Sequence, residues 1–470
     1  MIISQRTSFI GILIFSSITG LSQISYTLRF TDSTQKKVQV EIVPGKPMND
    51  SLQLIMPRYI AGGYAAYNFH HYIQNVVALT SQDSMIPMKN GDFGIPRWIL
   101  DHHHRTIKQI SYTVDLGRME LEQTDMGSSS YVRNHFVGIL NYSIFGWIDG
   151  TESEPVFYRI QTFSNWPIFS TIQPKEKMPA GSDIVECRNY HELADGQTML
   201  GPAMRIKEYQ SLRPLFVAEF CETKDEYIDN YGNRAIASLK LLNDYFGRIP
   251  FSYYTVVTWA LIPAKPVSGA SLAMEHLSSL TFIGDTSYLS VQKDTGDINR
   301  YIFGILHHMG HAYIPLRCYG DGYKPYVTEM PLLIKNIWFN EGFIWFFCKD
   351  ILKQKWIDNI LYDGVYKEIP AIKQLGLIEL SGLASLQYAD DFRLGIATFS
   401  RGAMMASEMN DYLIKQSHGK KSMKDVFRYL FYWSDQHKRA FTLEEFPKLL
   451  NESTHFDLSS IYDKWLKPLQ

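Results

Sequence analysis

The chain has 470 residues, 45% of them hydrophobic and 14% aromatic, more apolar material than a single core usually organises, so two domains are expected. Basic and acidic residues nearly cancel, leaving a formal net charge of -2 with no long run of like charge. That balance argues against nucleic acid or an anionic membrane as a partner.

At the N-terminus, Arg6 precedes an apolar run from Phe9 to Phe15, and small and polar residues follow through Gln23. Residues 1–23 therefore read as a cleavable signal peptide. The run is shorter than the ~20 apolar residues of a membrane span, so an exported protein, periplasmic or extracellular, with no stable membrane span is expected. Export would permit disulfides among Cys187, Cys221, Cys318 and Cys348, but their spacing selects no pairing, and four buried free thiols fit equally well.

Residues 24–175 alternate in short stretches, such as Val38 to Val43, Leu52 to Met56 and Ile107 to Val114, interrupted by Gly, Pro, Asn and Asp. This is the pattern of an N-terminal β-sandwich. From about residue 225 the period becomes helical, over Arg234 to Phe246, Ile298 to Tyr313, Ile334 to Leu352 and Ala403 to Gln416. Residues 176–470 are accordingly expected to form a mainly helical domain with a few strands, giving a multidomain α+β protein whose internal boundary rests on the change of period alone.

The chemistry concentrates in the second domain. His307 and His311 lie four apart in an apolar stretch with Asp297 as its N-cap, so they share one helix face. That is the spacing by which H-E-x-x-H helices present two imidazoles to Zn²⁺, with the intervening glutamate as general base. Here the glutamate position holds His308. Histidines at this spacing also occur as structural or surface residues, and His308 with His311 is an alternative ligand pair. Glu341 follows on the next strong helix among aromatic neighbours, where a buried carboxylate needs a partner; a metal or helix-terminal amides would each supply one. His2Glu is a recognised catalytic zinc set. His70, His71 and the run His102, His103 and His104 read as turn or surface residues, because no carboxylates accompany them at ligand spacing.

These motifs together resemble the glycyl aminopeptidase family, metallopeptidase family sixty-one, whose third ligand sits thirty residues after the second histidine in a W-x-x-E-G-F segment. Trp338, Glu341, Gly342 and Phe343 match that segment, and Glu341 is thirty residues beyond His311. Pro57, Gly62 and Tyr64 in Met56 to Tyr64 are similar to the signature of the family's N-terminal β domain, and Tyr190 to Asp195 to its interdomain segment. The resemblance implies a thermolysin-like second domain, one Zn²⁺ held by His307, His311 and Glu341, and peptides or protein N-termini as partners. Ala273 to His276 is similar to the strand whose glutamate holds the substrate's α-amine, which implies that role for Glu275. The family usually carries a PDZ domain after this region, and a degenerate member without one is expected here.

Two departures bear on catalysis. A histidine base at position 308 would become cationic beside a metal, and one net unit of repulsion at ~5 Å and an effective dielectric near 20 costs about 3 kcal/mol. Phe399, in Thr398 to Gly402, stands where the family has a tyrosine whose hydroxyl stabilises the oxyanion, and losing one such donor costs on the order of a hundredfold. Two functions follow as alternatives: a weak or inactive peptidase that binds peptides, and an active zinc-dependent aminopeptidase using a substitute base, for which Glu329 and His276 are the first candidates.

Overall fold

In the computed structural model, residues 23–467 are described except 49–51, 92–93, 101–104, 124–127, 265–270, 287–297, 354–371, 373 and 389–390. Residues 1–22 of the expected signal peptide, the histidines at 102–104 and the N-cap Asp297 lie outside the described residues.

Alternating buried and exposed side chains make Lys37–Val43 and Ile107–Asp115 antiparallel neighbours, with Val38, Val40 and Ile42 opposite Val114, Tyr112 and Ile110. They are central to a seven-stranded sheet ordered Ser182–Cys187, Val156–Gln161, Ile24–Arg29, Lys37–Val43, Ile107–Asp115, Ile73–Thr80 and Met85–Pro87. Ile24–Arg29 and Val156–Gln161 run parallel, the other neighbours antiparallel. Two four-stranded sheets, one through Phe136–Leu140 and one through Leu52–Ile55, pack on the same apolar core. Strands of this first system continue past residue 175 to Gln197–Leu200, which pairs with Phe136–Leu140.

The next strand, Arg205–Tyr209, opens a five-stranded sheet ordered Arg205–Tyr209, Leu215–Cys221, Tyr254–Leu261, Ser279–Asp285 and Ser271–Glu275. Its middle strands Leu215–Cys221 and Tyr254–Leu261 are buried along their whole length and run parallel, as expected where both faces are covered. Against this sheet packs a helical layer that includes α1 (Ile228–Phe246), α2 (Ile298–Gly310), α3 (Ile344–Leu352) with a π-helical turn Trp338–Phe343 before it, α4 (Leu377–Gln387) and α5 (Phe392–Gln416). The chain is thus multidomain α+β, β-rich first and helical later.

Several helix limits differ from the expected ones. Helix α2 stops at Gly310, where tighter turns replace the helical pattern: Ala312 N–H donates to the Met309 carbonyl and Tyr313 N–H to that of Gly310. The helix at 338 begins later than Ile334, and α5 begins eleven residues before Ala403, capped by the Asp391 carboxylate, which accepts from Arg393 N–H. His70 lies in a short 3-10 turn, Phe69–Tyr72, in keeping with a turn residue, but it is buried and not at the surface, with Nε2 3.0 Å from the Gly94 carbonyl, and burial lowers its pKa to about 4. All four cysteines are free and buried. Among the described residues no helix is long and apolar enough to cross a membrane.

Where the first sheets meet the second sheet, Arg133 donates to both oxygens of Glu120 at 2.8 and 2.6 Å and to Glu222 at 3.1 Å. A second junction forms where Arg58 and Tyr59 N–H donate to the Thr328 carbonyl and Thr328 N–H donates back to Tyr59.

Candidate metal centre

Helix α2 carries His307 in its last turn, and His311 follows directly after Gly310 with its N–H donating to the His307 carbonyl at 3.2 Å, so the two share one face one turn apart; both side chains are buried. Glu341 comes from the π-helical turn, whose backbone crosses α5 with almost no separation. A methyl group on Gly342 would sit 2.6 Å from Gly402 Cα, and one on Gly402 would sit 2.3 Å from the Trp338 carbonyl oxygen. Only glycine at both positions permits that crossing, which seats Glu341 opposite the histidines.

The three side chains converge. Nε2 of His307 and Nε2 of His311 are 3.1 Å apart, and Oε2 of Glu341 lies 3.4 and 3.3 Å from them. Ligands about 2.0–2.1 Å from a tetrahedral ion are separated by roughly 3.3 Å, so the spacing among these donors is that of three corners of a zinc tetrahedron. His311 Nδ1 lies 2.9 Å from the Ile314 carbonyl. As donor there, Nδ1 keeps its proton and leaves the Nε2 lone pair facing inward. The far oxygen of Glu341, Oε1, accepts from the Tyr64 hydroxyl at 2.9 Å. These residues fit a metal ion in donor type, spacing and outer support.

The electrostatics agree. Burial lowers His307 to about 4, helped by the neighbouring imidazoles. Burial also pushes His311 down, but the Glu275 and Glu341 carboxylates outweigh it and raise His311 to about 9. Burial opposes ionisation of Glu341, yet His311 and His307 hold its carboxyl well below the usual range. Without metal His311 is therefore the cationic imidazole of the pair and His307 the neutral one.

Glu275 ends the edge strand Ser271–Glu275 and is buried. One of its carboxylate oxygens lies within 4.8 Å of the donor atoms of His311 and Glu341. Its Oε2 is 3.5 Å from His308 Nδ1, an ion-pair distance, and its Oε1 has no hydrogen-bond partner among the described residues. Burial raises its pKa, but His311 and His308 bring it below the ordinary value. Gly62 presses on it from the first domain: a methyl group there would fall 2.2 Å from Oε1. His308 is part-buried and sits edge-on to Phe282.

Phe399 is buried, stacked at 5.9 Å on Tyr388 and edge-on at 5.7 Å to Trp345, whose ring is 6.5 Å from His307. The two substitute bases suggested by sequence are committed elsewhere. Glu329 accepts both Nε and Nη2 of Arg97, the latter at 2.6 Å. His276 is buried between Asp195 at 3.1 Å and Thr281 at 3.4 Å. Sequence reasoning missed two aromatic neighbours, Tyr64 at Glu341 and Tyr388 between Tyr64 and Phe399.

Residues 25–202 match the family described as the Peptidase M61 N-terminal domain. No curated protein matches the chain. Among solved structures, an aminopeptidase N family protein from Idiomarina loihiensis superposes with a TM-score of 0.80 at 18% identity, covering 95% of this chain and 76% of that one. An M1 zinc metallopeptidase from Deinococcus radiodurans superposes with a TM-score of 0.51 at 12% identity, over 95% of this chain and 94% of that one. The chain carries an aminopeptidase-like multidomain fold, with an N-terminal region similar to that of M61 peptidases.

Proposed function

We propose that this protein is an exported, zinc-binding relative of the glycyl aminopeptidases that holds peptides by their N-termini and hydrolyses them weakly or not at all. One observation carries the reading: His307, His311 and Glu341 keep tetrahedral spacing, while position 308 between the histidines presents an imidazole in place of a carboxylate, its Nδ1 without a hydrogen-bond partner among the described residues and 3.5 Å from Glu275 Oε2. The apolar run after Arg6 supports export.

When bound, Zn²⁺ would supply Lewis acidity to a peptide carbonyl. The protein's own groups then decide the outcome. To Glu275, which ends the strand Ser271–Glu275 with a carboxylate oxygen within 4.8 Å of the donor atoms of His311 and Glu341, we assign the ammonium of a free N-terminus. If His308 takes up a proton, the imidazolium calls on the same carboxylate, and one negative charge cannot neutralise two cations. Phe399 contributes no hydroxyl to a developing oxyanion. A second reading rests on the same 3.5 Å contact: Glu275 backs His308 as proton acceptor, and the protein cleaves peptides whose amine is blocked.

Metal analysis and a substrate panel test both readings. Wild-type protein is expected to bind about one zinc, which His307→Ala and Glu341→Ala abolish. Turnover of dipeptides and amino-acid amides is expected to lie at least about a hundredfold below that of a glutamate-containing relative. Fast, chelator-sensitive release of N-terminal residues would refute the weak-peptidase reading, and preference for N-blocked peptides would favour the second.

A further inference from the structure

We propose that Tyr64 is a positioning residue for the ligand Glu341, so that the first domain supplies part of the metal centre. The inference rests on the assignment of zinc to His307, His311 and Glu341.

Glu341 divides its oxygens. Oε2 faces the two histidine nitrogens, and Oε1 accepts from Tyr64, a residue 277 positions earlier in the chain. Both side chains are buried, so water does not replace that bond. The phenol pins the carboxylate with one oxygen toward the histidines, which favours single-oxygen coordination over a drift towards chelation. Groups in this position typically govern metal affinity by 10–100-fold, roughly.

The loop bearing Tyr64 is anchored on both sides. Arg58 and Tyr59 exchange backbone hydrogen bonds with Thr328, and the Tyr59 hydroxyl donates to the Lys324 carbonyl at 3.0 Å. Gly62, with φ +79, brings its backbone against Glu275, and Tyr64 itself adopts φ 41, a left-handed conformation that side chains other than glycine rarely take. The Tyr64 ring packs edge-on to Tyr388 at 6.0 Å. Such a conformation persists where the surroundings over-determine it, and here they aim the hydroxyl at the metal ligand.

The test uses the full chain and three variants. In competition with a chromophoric chelator, Tyr64→Phe is expected to bind Zn²⁺ about 10–100-fold more weakly than wild type, and its Co²⁺ form to show shifted visible bands. Tyr112→Phe removes a buried hydroxyl of the first domain, one that donates to the Ile144 carbonyl at 2.9 Å and touches neither that loop nor Glu341, and is expected to stay within about twofold of wild type. By reciprocity, zinc added to wild type should slow amide exchange at Gly63 and Tyr67 more than in the distal strand Lys37–Val43, a readout that needs no variant. Wild-type affinity in Tyr64→Phe, alongside zinc loss in His307→Ala, overturns the role of Tyr64 and leaves the ligand set standing. So does loop exchange indifferent to zinc. Absence of stoichiometric zinc in wild type overturns the ligand set, and this inference with it.

Discussion

His307 and His311 share a carboxylate but not a protonation state. With His307 near 4 and His311 near 9, His311 is the imidazole that holds the second, charging proton across the neutral range. Its folded pKa is raised above the usual value of about 6.5, so that proton stabilises the metal-free fold fully below about 6.5 and its contribution vanishes as pH rises through 9. Zinc must displace it from Nε2. Between about pH 5 and 9, zinc affinity is therefore expected to climb about tenfold per unit, with one proton released per zinc at pH 7. Potentiometric titration in weak buffer measures it directly, and a release of two protons would place a charge on His307 as well. The neighbouring residues allow a gain-of-function experiment. His308→Glu with Phe399→Tyr is expected to restore hydrolysis, and each change alone to restore far less, because base and oxyanion donor act in one transition state. Steady-state rates on amino-acid amides decide it. Inertness of a folded, zinc-loaded double variant would mean that the site has diverged beyond these two residues.

At the level of elements, the site depends on the glycine crossing between the π-helical turn and α5. Gly402→Ala would place a methyl group 2.3 Å from a backbone oxygen, and neither helix can yield without moving Glu341. A loss of about 2 kcal/mol in urea unfolding is expected, together with weaker zinc binding. Local signals made much of this legible in sequence. The convergence of His307, His311 and Glu341 was readable because a helix converts a spacing of four into a shared face, and because Glu341 follows in an aromatic helix. The start of α5 was not, since Gly395, the β-branched Ile396 and Thr398, and Gly402 weaken the helical signal before Ala403. The π-helical turn was equally hidden, because its buried residues give the same apolar texture as an α-helix. Tyr64 was visible as part of a motif but not as a partner of Glu341, since no periodicity connects residues from different domains.

For the whole molecule, the same separation makes domain contact a functional matter. Arg133 ties Glu120 to Glu222 with little solvent access, the Arg133 and Glu120 side chains being 11% and 6% exposed. Arg133→Ala would leave the Glu120 carboxylate buried without its cation, and a cost of about 3 kcal/mol is expected. Urea titration followed by tryptophan fluorescence measures it, and an unchanged midpoint would show that solvent already compensates this pair. The first sheet also constrains the order of events during synthesis. Strand Ile24–Arg29 lies between Lys37–Val43 and Val156–Gln161, and its pairing with the latter is parallel. A chain leaving the ribosome N-terminus first can form the hairpin with Lys37–Val43 early, but the opposite edge of Ile24–Arg29 stays unpaired until Val156–Gln161 has emerged. Through that interval the nascent protein presents an open strand edge to its surroundings, the kind of surface that invites mispairing, so its safe production depends on how quickly the later strand arrives or what shields the earlier one.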